Sequence, residues 1–284
     1  MFVITVPFLN LDQIYASGQV FRWIKFRDGK YAIPDKDAII MAEQQARDKL
    51  VLSCNDEGFY CQWYDYFDMQ TDYMALNYKI RQIGEEMKSK AVRASGVRIL
   101  RQDLFEIIVS FMLATATNIP NIKRMIEQIT WKCGKKHKSS MRECGIVKWY
   151  EFPTPEQILE KQHKLGDSFG LKRKEHVIQL CQDICDGWVD LGGLWNMSYE
   201  EAKEELMKIE GIGPKVADCI CLYGLHMMEA FPIDTHIKQI MQRDFGCEDY
   251  EAFADWYLWD VKGYEGLVQQ YMFYNEINPP REVK

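Results

Sequence analysis

The sequence predicts an α+β protein: an N-terminal antiparallel β domain over residues 1–85, then a mainly α-helical body over 86–284. Three observations carry that prediction. Short runs rich in β-branched and aromatic residues fill the first third of the chain. An Asp-Gly pair inside "RDGK" (Arg27 to Lys30) separates two of them, which is the signature of a tight hairpin. From about residue 73 the apolar residues recur at helical spacing instead.

The strand runs, in order, are "FVITV", "VFRWIKF", "KYAI", "AIIMAE" and "KLVLSC". The aromatic stretch "FYCQWYDYFDM" that follows reads as core closing this region. The helical runs begin with "DLFEIIVSFMLATA" and "NIKRMIEQITWKC" and end with a C-terminal helix over about 265–277. In "TPEQIL" a Thr cap, a Pro in the first turn and a Glu after it make a good helix start. The lysine-rich run "WKCGKKHKSSMR" reads as an exposed, solvated loop.

A net charge of -7 argues mildly against a nucleic-acid partner, although binding needs only a local basic surface. The nine cysteines are odd in number and follow no secretory leader, which points to a reduced cytosolic setting. Their spacing suits neither a zinc site nor an iron–sulfur cluster, and no apolar run is long enough to span a membrane.

The chemistry concentrates in "LMKIEGIGPKVADCICL". A helix is read as ending at Glu210, a Gly-Ile-Gly turn follows, and Pro214 begins the next helix, the whole hairpin covering about 203–222. Gly211 and Gly213 permit close backbone approach, and the turn presents amide N–H groups to an anion such as a DNA phosphate. Lys215 then sits in a first helical turn, where positive charge is least welcome. Nineteen residues later, in "FPIDTHI", Asp234 stands as the N-cap of another amphipathic helix. Taken singly, Lys215 reads as a solvated helix-end lysine and Asp234 as a cap; the pair at this spacing is more specific.

The motifs "GIGPKVADCICL", "FPIDTHI" and "QRDF", with "SGQVFRW" near the start and "GLVQQYMF" near the end, resemble the helix–hairpin–helix DNA glycosylases, and within them the 8-oxoguanine branch. The resemblance implies a bifunctional enzyme that excises 8-oxoguanine from double-stranded DNA and nicks the resulting abasic site, acting as a monomer without a metal or organic cofactor. An alkali ion could sit at the hairpin carbonyls. Lys215 would attack the sugar C1′. A free lysine is protonated below about 10.4, and a helix N-terminus in a desolvated pocket would favour the neutral amine. Asp234 would stabilise the charge developing on the sugar. His236 would contact phosphate beside the lesion. Phe273 and Cys219 would sandwich the extruded base, Gln269 would bond its Watson–Crick edge, and the Gly18 carbonyl would accept from N7–H, which 8-oxoguanine has and guanine lacks.

Departures from the branch gather where the opposite strand is read. Asn118 keeps the pattern, but Ala116 replaces an asparagine and Asn121 an arginine. Leu171 and Lys172 replace bulkier wedge and cytosine-reading residues. Two other readings stay open on sequence grounds. A related glycosylase for alkylated bases usually lacks a lysine at 215, and a non-catalytic hairpin module would need neither Lys215 nor Asp234.

Overall fold

The computed structural model describes residues 1–138, 146, 148–166 and 169–280, and leaves the side chain of Leu171 undescribed. The N-terminal region is a five-stranded antiparallel sheet. Its strands are β1 (Phe2–Thr5), β2 (Ile24–Arg27), β3 (Lys30–Asp35), β4 (Ala38–Ala46) and β5 (Lys49–Leu52), in the order β1-β5-β4-β3-β2. The Asp28-Gly29 turn joins β2 to β3 with Arg27 opposite Lys30, and Gly29 takes the left-handed φ of +70° that such a turn requires.

One helix in this region is absent from the sequence reading. Leu11–Ala16, capped by Asn10, buries Leu11 and Ile14 against the sheet. The aromatic stretch folds as short helical turns, Phe59–Trp63 and Tyr64–Tyr66, and buries Phe59, Trp63, Tyr66 and Phe67 in the same core. The run "VFRWIKF" enters the sheet only at Ile24. Gln19 draws its start away, since its amide donates to the Arg98 carbonyl at 2.8 Å and accepts from the Leu100 N–H at 2.9 Å. Residues 17–23 therefore cross from the sheet to the helical body.

The body is organised around the helix Leu104–Leu113, whose residues are all buried except Glu106. A helix apolar on every side needs a surrounding layer of helices. Pro214–Tyr223, Leu171–Cys185 and Ile119–Cys133 pack against it, and Glu265–Ile277 joins the same core by packing on Thr235–Phe245 and Glu85–Arg93. Among the described residues no helix is long and apolar enough to cross a membrane.

The lysine-rich run corrects the sequence reading. Instead of a plain loop it contributes β6 (Lys136–Lys138), paired antiparallel with β7 (Lys148–Tyr150). Residues 139–145 and 147 lie outside the described set. Trp149, buried and stacked on His137 with ring centroids 4.7 Å apart, gives the short pairing an apolar underside.

Sheet region and body meet at a buried carboxylate. Asp68 is fully buried, 3.0 Å from Arg101 Nε and 3.1 Å from His226 Nε2, and accepts from the Tyr73 hydroxyl at 2.8 Å. Burial alone would raise its pKa, but the His226 contact, with Thr71 and Tyr73, outweighs burial and holds it well below the ordinary 3.8. A depressed carboxyl stabilises the fold above its unfolded pKa, and that contribution is lost as pH falls toward the folded value. Asp68→Asn should therefore cost about 3–5 kcal/mol at neutral pH. In urea unfolding across a pH series, the gap between the two proteins should hold down to about pH 5 and shrink below it. A gap that does not change with pH would contradict the assignment.

Candidate active site

Five separate stretches of chain converge on a cavity of about 50 Å³ lined by Ser17, Gly18, Phe111, Lys215, Cys219, Tyr223, Pro232, Asp234, Gln269 and Phe273. Six of these are residues singled out from the sequence: Gly18, Lys215, Cys219, Asp234, Gln269 and Phe273. Ser17 and Pro232 lie in the motifs "SGQVFRW" and "FPIDTHI" but have no assigned role there, and Phe111 and Tyr223 join them only in three dimensions, because nothing in their local sequence marks them apart from core residues.

The helix–hairpin–helix places Lys215. Its first helix, Tyr199–Met207, starts with a capping box between Ser198 and Glu201. It stops at Met207 rather than at Glu210, since Lys208 and Ile209 bond back three residues, to Glu205 and Leu206, and tighten the chain into the turn. Gly211 has φ +91°, and a Cβ there would lie 2.5 Å from the His176 ring, so this glycine is required for packing as well as for the turn. Gly213 has extended backbone and open space where a Cβ would stand. It begins the second helix, Pro214–Tyr223, without a side-chain cap, which leaves the first-turn amides to be satisfied from outside.

Lys215 is half-buried, with Nζ over the Phe111 ring at 5.6 Å from its centroid. One turn on, the Cys219 thiol is buried. Burial pushes it up to about 11, with Lys215 pulling the other way, so it is a neutral, soft surface at physiological pH. Asp234 caps the helix Thr235–Phe245, its Oδ1 accepting from the Ile237 N–H at 2.9 Å. That bond fixes the carboxylate at the cavity wall.

On the far side, the helix Glu265–Ile277 presents Gln269 and Phe273, one turn apart. The Gln269 amide donates to the Pro232 carbonyl at 3.1 Å, which identifies its nitrogen, and leaves buried Oε1 with no hydrogen-bond partner. A buried unpaired acceptor costs free energy unless a donor arrives. Gly18 has φ +85°, and a Cβ there would meet the Phe273 ring at 3.0 Å. The neighbouring Gln270 acts behind the wall: it donates to the Ser17 carbonyl at 2.7 Å and accepts from the Tyr223 hydroxyl. Tyr223 in turn stacks on Phe111 with centroids 5.3 Å apart. His236 is exposed at the rim, 6.1 Å edge-on to Phe273.

The residues assigned to the opposite strand form a second group beside the cavity. Ala116 is exposed with φ +52°. Asn118 caps the helix Ile119–Cys133 by accepting from the Asn121 N–H at 3.0 Å, and Asn121 donates weakly to Thr117 at 3.3 Å. Arg173, which the sequence reading passed over, donates to the carbonyls of Thr115 and Ala116 from the start of Leu171–Cys185. It ties the loop to the segment carrying Leu171 and exposed Lys172.

Residues 1–108 match the N-terminal domain of 8-oxoguanine DNA glycosylase, and 202–223 match the helix-hairpin-helix motif. The chain is 30% identical to the 8-oxoguanine glycosylase/lyase of Clostridium acetobutylicum, solved with double-stranded DNA containing cytosine opposite 8-oxoguanine. The superposition covers 95% of this chain and 92% of that one, with a TM-score of 0.85. It is also 28% identical over 262 residues to an N-glycosylase/DNA lyase of Saccharomyces cerevisiae, covering 84% of this chain and 68% of the relative. An N-glycosylase/DNA lyase of Arabidopsis thaliana is 24% identical over 242 residues, covering 82% and 65%. The chain thus spans about two thirds of the length of these two relatives. With the sheet, the hairpin and the converging lysine and aspartate all in place, the chain belongs to the 8-oxoguanine DNA glycosylase family of helix–hairpin–helix proteins.

Proposed function

We propose that this protein is a bifunctional DNA glycosylase/lyase that removes 8-oxoguanine from duplex DNA. The observation that carries the reading is the meeting of Lys215, Asp234 and the unpaired Gln269 Oε1 around one cavity. The Lys215 amine attacks the sugar C1′, and the bond to the base breaks with its electron pair leaving on the base. Asp234 offsets the positive charge that develops on the sugar. Opening of the sugar ring leaves an imine between C1′ and Nζ. Loss of a C2′ proton then expels the 3′ phosphate and nicks the strand.

The extruded base lies between Cys219 and Phe273, a soft wall and a flat one. Gln269 Oε1 accepts from its Watson–Crick N–H groups, which relieves the orphaned acceptor. The Gly18 carbonyl takes the N7 proton that distinguishes the lesion. The uncapped first turn at Gly213 holds a phosphate, and His236 at the rim holds another. Duplex DNA with 8-oxoguanine or an abasic site is the partner, so the protein works where the genome is: the nucleoid-bearing cytoplasm of a prokaryote, or a nucleus.

Incubation with a duplex carrying one 8-oxoguanine should nick the lesion strand. Base loss without nicking would favour an alkylated-base type of glycosylase, and binding without either would leave a non-catalytic module. Asp234→Asn should lower the single-turnover rate by about 10²–10³, while binding to an uncleavable lesion analogue changes far less. Unfolding of that variant with normal turnover per folded molecule would reduce Asp234 to a cap.

Opposite-base preference should be modest. Ala116 has no side-chain hydrogen-bond group and Asn121 is short and uncharged, so at least one contact worth about 1–3 kcal/mol is missing. Single-turnover cleavage opposite cytosine should exceed that opposite adenine by less than about a thousandfold, roughly 4 kcal/mol. Ala116→Asn with Asn121→Arg should sharpen the ratio. The left-handed backbone at 116 suits asparagine better than alanine, and the arginine displaces only a weak bond to Thr117, so this double variant should fold. An unchanged ratio would mean the loop does not read the partner base.

A further inference from the structure

The β6–β7 ribbon carries an arrangement that the excision site does not use. Its register sets Lys136 opposite Tyr150, His137 opposite Trp149 and Lys138 opposite Lys148. Alternation then divides the side chains between two faces. Lys135, His137, Trp149 and Glu151 share one face, where Glu151 lies 3.5 Å from Lys135 and also pairs with His137. Lys136, Lys138 and Lys148 share the other with Tyr150; all three are exposed, and among the described residues none has a carboxylate partner. Like charges directly opposite each other weaken a strand pair. A three-residue pairing with Lys138 against Lys148 therefore carries a repulsion that a bound polyanion would relieve.

The ribbon is also held firmly and near the cavity. Arg22, buried and 2.6 Å from Glu106, donates to the Tyr150 carbonyl at 2.6 Å. Arg22 lies four residues from Gly18, a stretch of chain spanning at most about 14 Å. Adding the reach of one guanidinium still keeps the ribbon base within one duplex turn, about 34 Å, of the cavity. Lys161 and Lys164, from the adjoining Pro155–Lys161 segment and the turn after it, extend the basic surface, with Lys161 donating to the Cys133 carbonyl at 2.8 Å. In a chain of net charge -7 this is a local concentration of positive charge.

We propose that the Lys136, Lys138 and Lys148 face of the ribbon grips the phosphate backbone of the substrate duplex, as a contact separate from the hairpin turn. The inference rests on the reading that duplex DNA is the substrate. It assigns the ribbon to affinity, with no part in chemistry, because phosphate contacts position a protein without reading bases.

The test uses Lys148→Glu and the triple change Lys136→Ala, Lys138→Ala, Lys148→Ala in the full chain, with undamaged duplex as the probe. Each phosphate contact contributes about 0.9 to the slope of log affinity against log salt. The triple variant should lower that slope by about 2 to 3 and weaken binding at low salt by about tenfold or more. Lys148→Glu turns the opposed lysines into a cross-strand ion pair. Its thermal midpoint should equal or exceed that of wild type while its DNA affinity falls. Single-turnover nicking of lesion duplex at saturating protein should stay unchanged in both. An unchanged affinity and slope would overturn the proposal, as would a lowered midpoint in Lys148→Glu or a lost single-turnover rate. Failure of wild type to nick lesion DNA would instead count against the excision reading, and the salt slopes would still judge the ribbon.

Discussion

In the proposed function, capping and catalysis draw on the same carboxylate. The bond from the Ile237 N–H to Asp234 Oδ1 at 2.9 Å satisfies a helix start, and it also fixes a negative group against the cavity that holds Lys215. A side chain used as a cap has little freedom to turn away, because release would leave an orphaned amide. The lysine helix is built in the opposite sense. Gly213 leaves its first turn without a side-chain cap, so an external anion can complete it. One helix start is closed by its own acid and the other stays open, and both helices are held in one hydrophobic core, Pro214–Tyr223 against Leu104–Leu113 and Thr235–Phe245 against Glu265–Ile277.

That packing also explains why the cavity is so small. At about 50 Å³ it is a narrow cleft between the Lys215 helix and the Phe273 ring. The half-buried Phe273 ring presses on the backbone at Gly18, where the left-handed φ of +85° admits glycine readily and other residues poorly. Behind it the wall is braced by Gln270, Tyr223 and Ser17 and has little freedom. In the proposed function a base is accommodated from the Phe273 side, at the rim shared with His236. On the same reading, the orphaned Gln269 oxygen supplies the acceptor that holds that base.

Much of this was legible in the sequence, for identifiable reasons. The Asp28-Gly29 turn and the alternating strands announce the sheet because hairpin geometry restricts the residues that fit. Lys215 and Asp234 could be picked out by their motifs and the spacing between them, whereas Gly18, Cys219, Gln269 and Phe273 could be named only through the resemblance those motifs carry. The helix Leu11–Ala16 was hidden by its length, since six residues give too little periodicity to detect. The β6–β7 ribbon was hidden by composition. Lysine is a poor strand former, and the strand exists because Trp149 and His137 supply one apolar face. Phe111 and Tyr223 are ordinary core residues until distant segments meet, and the bonds of Arg173 to the 115–116 carbonyls depend on loop geometry that spacing does not encode.

The account stands or falls on Lys215 as the group that bonds to the sugar. Borohydride reduces an imine to a stable amine, so it captures that bond if it forms. Wild-type protein incubated with lesion duplex and borohydride should yield a covalent protein–DNA adduct, peptide mapping should place it at Lys215, and Lys215→Gln should give none. An adduct formed at full yield by Lys215→Gln, or mapped to another amine, would contradict the central claim.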